Sequence, residues 1–261
     1  MQPKAQIEIS GLSAIAENYN AMLFDQFGVL HDGEKPYPHA IAVLEELKAS
    51  NIPVAVITNS GKRAEANITR LVKMGIRREL FSACVSSGEI AFQTVKTQAK
   101  AYIIGKDNED YGFAGITTVT SPQEADFLLI LGSNAPTTTL DDYRELLRGL
   151  KLPAICCNPD KLMLTSKGLQ PAPGAIAALY AEMGGKVTWI GKPYPQIYQA
   201  AAQAIHATGR ILCVGDSAEH DVAGGKAAGF DTLLILTGVS QGLDPKQLNP
   251  QPDHYCSQLV W

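Results

Sequence analysis

Polar side chains follow four apolar segments of this 261-residue sequence, each at the point where the segment ends. The residues in question are Asp25, Thr58, Lys192 and Asp216. In an open α/β sheet the carboxyl ends of the strands line the ligand crevice, so we expect these side chains to converge. Two carboxylates, a hydroxyl group and an ammonium group would then share one site.

This set of groups suits chemistry on a phosphoryl group. Asp25 and Asp216 offer the hard oxygen ligands that Mg²⁺ prefers, with water or substrate phosphate completing its coordination. Thr58 and the backbone N–H groups that follow Ser60, at the start of the next helix, can hold phosphate oxygens. Lys192 supplies a compact positive charge. One carboxylate remains to act as a nucleophile.

The elements that must position these residues follow from the hydrophobic pattern. Continuously apolar runs, typical of buried parallel strands, lie at 21–24, 54–57, 211–214 and 232–235. Helix-length amphipathic stretches lie at 39–49, 63–74, 195–206 and 217–228. This alternation predicts an α/β fold with a parallel sheet.

The middle of the chain carries elements of its own. Further strand and helix patterns lie at 101–104, 127–131, 141–150 and 173–183. We therefore predict a core domain formed by residues 1–87 and 187–261, interrupted by an inserted α/β domain at 88–186.

Composition and charge exclude several classes of protein. Hydrophobic residues make up 46% and charged residues 18%, which excludes collagen, coiled coil and extensive disorder. A formal charge of −4 argues against a protein that coats nucleic acid or an anionic membrane. The apolar stretches are far shorter than the roughly 18 residues that a membrane span requires.

Other sequence signals narrow the prediction further. The first 20 residues lack a continuous apolar region, so they do not resemble a signal peptide, and we predict a cytoplasmic protein. The five cysteines contain no C-x-x-C pair, which favours buried thiols over disulfides or a zinc site. The phosphate loop of nucleotide motors, the dinucleotide fingerprint, the zinc-protease motif and the serine-hydrolase elbow are all absent from the sequence.

Four segments resemble, in order, the motifs of the haloacid dehalogenase superfamily, and in particular of its class IIA phosphatase-like hydrolases. The segment LFDQFGVL at 23–30 resembles the nucleophile motif, and ITNS at 57–60 resembles the phosphate-binding motif. The lysine motif resembles GKP at 191–193. The metal-binding motif resembles GDS at 215–217 together with Asp221.

The resemblance implies a Rossmann-like core and an inserted C2-type cap that selects the substrate. It implies that Asp25 attacks phosphorus to form an aspartyl-phosphate, while Thr58 and Lys192 hold the phosphoryl oxygens. The Mg²⁺ ligands it implies are Asp25, the backbone carbonyl of Phe27, Asp216 and Asp221. The substrate would be a small phosphorylated metabolite, a sugar phosphate or a nucleotide, and cap surfaces of this family can form homodimers.

Four further residues are expected to contact substrate by this resemblance: Gly28, Asn59, Ser60 and Asn158. Other interpretations of some of these positions stay open. Asn158 can equally belong to a tight turn, and Asp221 can be a favourable charge in the first turn of a helix. Residues 58–60 can also cap the helix that follows them.

One residue departs from the phosphatase pattern. These enzymes carry a second aspartate two residues after the nucleophile, which protonates the leaving group and then activates water, and this chain has Phe27 there. Such acid–base help is worth about 10²–10⁴-fold. We therefore expect slow turnover, or a bias toward aryl and acyl phosphates, unless His31 and Asp32 replace the missing acid.

Two alternative functions remain. An aromatic residue at this position is similar to the motif of the metal-independent haloacid dehalogenases, although Asp216 and Asp221 retain the metal-binding pattern. A catalytically weak or inactive protein that binds a phosphorylated ligand is the other alternative, and Phe27 is its main support.

Overall fold

The computed structural model describes residues 6–95, 99–165 and 167–261. In that part of the chain the strands are β1 Ile7–Glu8, β2 Ala21–Asp25, β3 Val54–Thr58, β4 Ala83–Ser86, β5 Lys100–Ile104, β6 Thr117–Thr118, β7 Phe127–Ile130, β8 Pro153–Cys156, β9 Leu162–Thr165, β10 Gly168–Pro171, β11 Lys186–Trp189, β12 Ile211–Gly215, β13 Asp231–Ile235 and β14 His254–Cys256. The α-helices are α1 Ala40–Ala49, α2 Ala64–Lys73, α3 Ser87–Thr94, α4 Leu140–Leu147, α5 Pro173–Glu182, α6 Pro195–Ala204 and α7 Ala223–Ala227.

The chain divides into two compact units. The first unit comprises Met1–Thr58, Asn67–Val85 and Lys192–Trp261, and the second comprises Asn59–Ala66 and Ser86–Gly191. Each unit has its own sheet, and the chain passes from one to the other four times.

The seven-stranded sheet of the first unit has the order β1-β14-β13-β12-β2-β3-β4. Strand β2 lies between β12 and β3 and runs parallel to both, with Phe24 opposite Val214 and Asp25 opposite Ile57. These strands read as continuous apolar runs because helices cover a parallel sheet on both faces. The predicted α/β fold is confirmed.

The helices of the first unit bury one face each. Helix α1 buries Ala40, Val43, Leu44 and Leu47, a spacing of three and four residues that places them on one side of the helix. Helix α6 packs on β3 and β2, and buries Ile197, Tyr198 and Ala201. These contacts hold the strands that carry the polar residues of the sheet edge.

The second unit contains a five-stranded parallel sheet of order β11-β8-β7-β5-β6, and an antiparallel hairpin of β9 and β10. Helices α4 and α5 pack together over this sheet, where Tyr143, Leu147, Ile176 and Tyr180 are buried. The Tyr180 hydroxyl donates a hydrogen bond of 2.7 Å to the Leu152 carbonyl, which satisfies its polar end.

The observed units differ from the predicted domain boundaries at three places, the smallest being residues 86–87, which belong to the second unit. The expected core segment 187–261 includes most of β11, but this strand pairs with β8 and so belongs to the second unit. Residues 59–66, which we expected in the core, also belong to the second unit. Hydrophobic pattern alone identifies a strand, but not the sheet it joins.

All five cysteines fall within the described residues, and they are buried thiols. Cys84, Cys213 and Cys256 lie in the first unit, whereas Cys156 and Cys157 lie in the second. In the part of the chain that the structure describes, no helix combines the length and apolar character that crossing a membrane would require.

Candidate active site

Asp25 ends the central strand β2 and is buried at the carboxyl edge of the first unit's sheet. Its Oδ1 atom accepts a hydrogen bond of 2.7 Å from the backbone N–H of Gln26. The same oxygen lies 2.8 Å from the ammonium nitrogen of Lys192. Both partners therefore bind the same carboxylate oxygen.

Lys192 bridges two carboxylates from the interior of the first unit. Its Nζ atom is 2.8 Å from Asp25 Oδ1 and 2.8 Å from Asp221 Oδ1, and only 4% of the residue is exposed. The sequence analysis placed Lys192 at the end of a core strand, and this was wrong. The preceding strand β11 belongs to the second unit's sheet, and Lys192 is the first residue after the chain returns to the first unit.

Asp216 follows β12, next to β2 in the sheet, and its Oδ2 atom accepts a hydrogen bond of 2.8 Å from the backbone N–H of Val239. Two glycines with positive φ pack against its carboxylate, Gly28 at +87° and Gly238 at +50°. A Cβ atom on either glycine would overlap that carboxylate. Glycine is therefore required at both positions. Gly28, which we expected to contact substrate, contacts the Asp216 carboxylate in this structure.

Asp221 lies in a turn of π-helix at Ala218–Val222, which continues into α7. The predicted single helix at 217–228 is thus widened in its first turn. Asp221 Oδ2 accepts a hydrogen bond of 3.1 Å from the backbone N–H of Ser217, and Oδ1 binds Lys192. A side chain on Gly215 would overlap Asp221, so the glycine leaves room for it to approach the end of β12.

The three carboxylates form one cluster. Oxygen atoms of Asp25, Asp216 and Asp221 all lie within 4.8 Å of one another, and all three residues are buried. Oxygen donors of this kind suit a hard divalent cation such as Mg²⁺. The donor set therefore fits the predicted metal, and these three residues could hold it.

Burial and neighbouring acids disfavour the charged forms of Asp25 and Asp216. Burial, and then the charges of Asp221 and Asp216, raise the pKa of Asp25 well above its ordinary value, although Lys192 opposes them. Burial and Asp221 raise the pKa of Asp216 to about 7. Burial would lower the pKa of Lys192, but Asp221 and Asp25 outweigh it and raise that pKa. A bound cation would offset the repulsion that remains.

Phe27 occupies the turn that follows Asp25. Its side chain is 47% exposed, and it offers no group that can carry a proton. It makes a T-shaped contact with the His31 ring, with centroids 6.0 Å apart and an interplanar angle of 83°. The side chain at this position therefore supplies an aromatic surface in place of a carboxylate.

Neither His31 nor Asp32 shows the geometry of a substitute acid. The Nδ1 atom of buried His31 accepts a hydrogen bond of 3.0 Å from the Gly33 N–H, and burial, with Arg70, lowers the pKa of this histidine to about 4. Asp32 accepts hydrogen bonds of 2.9 Å from the backbone N–H groups of Glu34 and Lys35. Both side chains thus stabilise the turn they belong to.

Thr58 ends β3 in the first unit, and the two residues after it lie in the second. Asn59 donates a hydrogen bond of 2.8 Å from Nδ2 to Asp160 Oδ1. Ser60 Oγ accepts one of 3.3 Å from the backbone N–H of Lys62. These contacts hold the segment locally, so the predicted roles of Asn59 and Ser60 toward substrate stay predictions.

The helix that follows these residues begins later than we expected. Helix α2 starts at Ala64, so residues 58–60 do not cap it. Its first N–H group instead donates a hydrogen bond of 3.2 Å to Glu89, whose carboxylate also pairs with Arg63. The cap comes from a distant residue, which no local pattern indicates.

Asn158 lies in the second unit, in a tight turn. Its Oδ1 atom accepts a hydrogen bond of 2.9 Å from the backbone N–H of Asp160, and its carbonyl accepts one from Cys156 Sγ. The turn interpretation accounts for these contacts, and the role toward substrate stays a prediction.

The sequence analysis missed the segment after β13, where Thr237, Gly238 and Val239 contact the site. Thr237 Oγ1 donates a hydrogen bond to the Gly28 carbonyl, and the Val239 N–H binds Asp216. The rule that found Asp25, a polar residue directly after an apolar run, also applies to Thr237. Applied to the apolar run at 232–235, it finds this segment as well.

Comparisons with known proteins agree with this arrangement. A family model described as haloacid dehalogenase-like hydrolase matches residues 22–115, and a second, described as HAD-like hydrolase, matches residues 189–261. The two matches contain the strand ends that carry Asp25, Thr58, Lys192 and Asp216.

Named relatives cover nearly all of the chain. It is 26% identical over 250 residues to the dihydroxyacetone phosphatase of Corynebacterium glutamicum (strain R), with 91% of this chain and 88% of that protein covered. It is 25% identical over 252 residues to the 5'-nucleotidase YutF of Bacillus subtilis (strain 168), with 94% and 97% covered. A solved structure of a haloacid dehalogenase-like hydrolase from Brucella suis 1330 has a TM-score of 0.86 and 28% identity, over 97% of this chain and 100% of that one.

Proposed function

Because this chain belongs to the haloacid dehalogenase-like hydrolases, we propose that it is a Mg²⁺-dependent phosphatase that acts through an aspartyl-phosphate at Asp25. The observation that carries this proposal is the buried cluster of three carboxylates around Lys192 at the edge of a parallel sheet. Such a cluster is costly to bury unless a cation and an anionic substrate use it.

Each residue of the cluster has a distinct task. Lys192 and Gln26 bind Asp25 Oδ1, so they orient the carboxylate for attack on phosphorus. Asp221 holds Lys192, whose charge then also neutralises phosphoryl oxygens. Mg²⁺ held by Asp25, Asp216, Asp221 and the Phe27 carbonyl would neutralise charge on the transferred group. Thr58, at the end of the neighbouring strand, would donate a hydrogen bond to it.

Phe27 sets the limits of this chemistry. The leaving group must depart without a proton from residue 27, and water must attack the aspartyl-phosphate without a base there. Acid–base help of this kind is worth about 10²–10⁴-fold, so esters of alcohols should react slowly. Aryl and acyl phosphates, whose leaving groups are stable anions, should react faster.

The substrate is proposed to be a small phosphorylated metabolite, a sugar phosphate or a nucleotide. Two named relatives are a dihydroxyacetone phosphatase and a 5'-nucleotidase, which supports this class. The second unit would act as the cap that selects among such substrates. A homodimer and a cytoplasmic location stay predictions from the sequence.

Hydrolysis of p-nitrophenyl phosphate and acetyl phosphate tests the proposal. The purified protein is assayed with and without Mg²⁺, beside the variants Asp25→Asn and Asp32→Asn. We expect Mg²⁺-dependent hydrolysis that disappears in Asp25→Asn and persists in Asp32→Asn, because Asp32 only stabilises a turn. No hydrolysis of either compound by a folded, Mg²⁺-binding protein would contradict the proposal and favour a ligand-binding role.

The variant Phe27→Asp tests the role of the missing acid. Restoring a carboxylate should raise turnover of alkyl phosphates, by up to the roughly 10²–10⁴-fold that acid–base help provides, and should raise turnover of acetyl phosphate less. The ratio of the two rates is therefore the useful readout. An unchanged ratio in a folded, Mg²⁺-binding variant would contradict this account of Phe27.

A further inference from the structure

Tyr198 lies on α6 and is completely buried in the first unit. A tyrosine in such a place needs a hydrogen-bond partner for its hydroxyl group. That group donates a hydrogen bond of 2.8 Å to the backbone carbonyl of His220, inside the π-turn at Ala218–Val222. A side chain outside the carboxylate cluster therefore reaches the turn that carries Asp221.

The carbonyl that Tyr198 binds belongs to the peptide unit between His220 and Asp221. Because a peptide unit is planar, its carbonyl oxygen and its N–H group turn together. The N–H group of this unit, which is that of Asp221, donates a hydrogen bond of 2.8 Å to the Ser217 carbonyl. The unit is thus held at both of its polar groups, which fixes the direction in which the Asp221 side chain leaves the backbone.

The turn itself is an uncommon backbone conformation that outside contacts help to stabilise. The Ser217 carbonyl accepts the N–H groups of both Asp221 and Val222, at 2.8 and 3.1 Å, so one bond spans five residues in place of four. Single π-turns of this kind occur frequently at functional sites. The Tyr198 hydroxyl group gives this turn a contact from a different helix.

Two further features keep the Tyr198 hydroxyl group in this contact. A Cβ atom on Gly224, in α7, would overlap the ring and the hydroxyl group of Tyr198, so the glycine lets α6 and α7 approach closely. Burial, and then the charge of Asp221, raise the pKa of Tyr198 well above its ordinary value. The hydroxyl group therefore keeps its proton at neutral pH and remains a donor.

The Asp221 side chain connects this turn to the proposed reacting groups. Its Oδ1 atom binds the ammonium group of Lys192 at 2.8 Å, and Lys192 binds Asp25 at the same distance. One oxygen atom of Asp221 also lies within 4.8 Å of oxygen atoms of Asp25 and Asp216. A displacement of Asp221 would change both the place of the ammonium charge and the geometry of the three oxygen donors.

We propose that Tyr198 is a positioning residue of this site: its hydroxyl group orients the peptide between His220 and Asp221, and so sets the Asp221 carboxylate for Lys192 and for the metal ion. This inference rests on the proposed phosphatase function, in which Lys192 and the metal ion both act. Tyr198 acts indirectly, because its hydroxyl group binds the backbone of the turn and not the Asp221 carboxylate.

Tyr198→Phe removes the hydroxyl group and keeps the ring. Tyr180→Phe is the matched control, because Tyr180 is also buried on a helix and donates a hydrogen bond of 2.7 Å to a backbone carbonyl, that of Leu152, in the second unit. Each substitution removes one buried hydrogen bond, so both should lower the urea midpoint of unfolding by similar amounts. Only Tyr198→Phe should weaken Mg²⁺ binding, by about 2–10-fold, the factor that one hydrogen bond provides.

Mg²⁺ titration of the two folded variants decides the inference. Equal Mg²⁺ affinities in Tyr198→Phe and Tyr180→Phe would overturn it, because Tyr198 would then contribute stability alone. A folded parent protein that binds no Mg²⁺ would overturn it as well.

A second background shows whether Tyr198 acts through Asp221. In Asp221→Asn the carboxylate that the hydroxyl group orients is gone, so adding Tyr198→Phe should cost little further Mg²⁺ affinity. A loss as large as in the parent protein would mean that Tyr198 acts elsewhere, and would overturn the inference.

These measurements need no turnover, so they separate the inference from the proposed function. If Mg²⁺ binding falls selectively in Tyr198→Phe, but the parent protein hydrolyses neither p-nitrophenyl phosphate nor acetyl phosphate, the proposed function fails and the role of Tyr198 at the metal site stands. If both compounds are hydrolysed and Mg²⁺ binding is unchanged in Tyr198→Phe, only the role of Tyr198 fails.

Discussion

The first unit buries a cluster of three carboxylates beside one ammonium group, whereas in the second unit the Glu89 carboxylate binds the Arg63 guanidinium group. In the first unit, burial and neighbouring acids raise the pKa of Asp216 to about 7. In the second unit, the Arg63 guanidinium holds the pKa of Glu89 below its ordinary value. Arg63 binds Glu89 through two nitrogens, at 2.6 and 2.9 Å, and also stacks on the Phe92 ring at 3.6 Å.

The carboxylates of the proposed site and Glu89 shift in opposite directions: the pKa values of Asp25 and Asp216 are raised, and that of Glu89 is lowered. A lowered carboxylate pKa means that folding favours the charged form, so the pair contributes stability. A raised pKa means that the folded protein disfavours the charged form, here first because the carboxylates are buried and then because they repel one another. Perturbed groups of this second kind concentrate at functional sites.

The variant Asp25→Asn should give the largest effect and test the comparison directly. Loss of the nucleophile should reduce turnover by about 10⁴-fold or more, as for other covalent catalysts. Stability should stay the same or rise, because one of three repelling buried carboxylates is removed. Turnover and thermal unfolding are measured together, with Asp141→Asn as a control, since that side chain is exposed on α4. A strongly destabilised Asp25→Asn would contradict the view that the cluster is under repulsion.

Lys192→Met should destabilise the protein most. Removing one partner of a buried ion pair typically costs about 3–5 kcal/mol, and here it leaves Asp25 and Asp221 without their shared cation. Urea unfolding measures this loss, and Mg²⁺ should restore more stability to this variant than to the parent protein. The control Lys226→Met removes an ammonium group whose side chain is 39% exposed. A similar response to Mg²⁺ in both variants would contradict the prediction.

Gly238→Ala should weaken Mg²⁺ binding. A methyl group there would overlap the Asp216 carboxylate, so this side chain must shift from the cluster. We expect a loss of affinity of at least about 10-fold, corresponding to about 1.4 kcal/mol, measured by Mg²⁺ titration. Gly242→Ala is a matched control, because Gly242 also has positive φ but a Cβ atom there would meet nothing within 4 Å. An equal loss of Mg²⁺ affinity in the two variants would show that backbone strain, and not the overlap with Asp216, weakens binding.

Glu89→Gln should lower stability modestly, with a pH dependence set by the lowered pKa of Glu89. Losing a carboxylate that binds Arg63 and the Ala64 N–H should cost about 1–2 kcal/mol. Because the folded pKa of Glu89 is lowered, its contribution is present above the unfolded pKa and is lost as pH falls through the folded value. Parent and variant should therefore converge in stability at acidic pH. The exposed pair partner Glu145, changed to Gln, should alter stability less.

The parts of the site that the sequence predicts are those set by strand geometry. Asp25 and Asp216 follow adjacent parallel strands, and the apolar runs of both strands are visible in the sequence. Parallel strands bring their carboxyl ends to one edge, so convergence of these two residues needs no knowledge of tertiary packing.

The other features of the site depend on tertiary packing, which local sequence patterns do not encode. Lys192 follows a strand of the other sheet, so its contact with Asp25 depends on where the chain re-enters the first unit. The π-turn that brings Asp221 to Lys192 differs from an α-helix by one hydrogen-bonding position. Helix α2 begins at Ala64 because a residue far along the chain, Glu89, caps it.

Chemical labelling of the five buried thiols can measure local opening of the protein. Burial raises the pKa of Cys156 to about 12 and that of Cys256 to about 11, so these thiols are almost entirely protonated at neutral pH and are shielded from reagents. Each can be alkylated only after the surrounding structure opens. Because Cys156 and Cys157 lie in one unit and the other three in its neighbour, the order in which they are labelled shows which unit opens first.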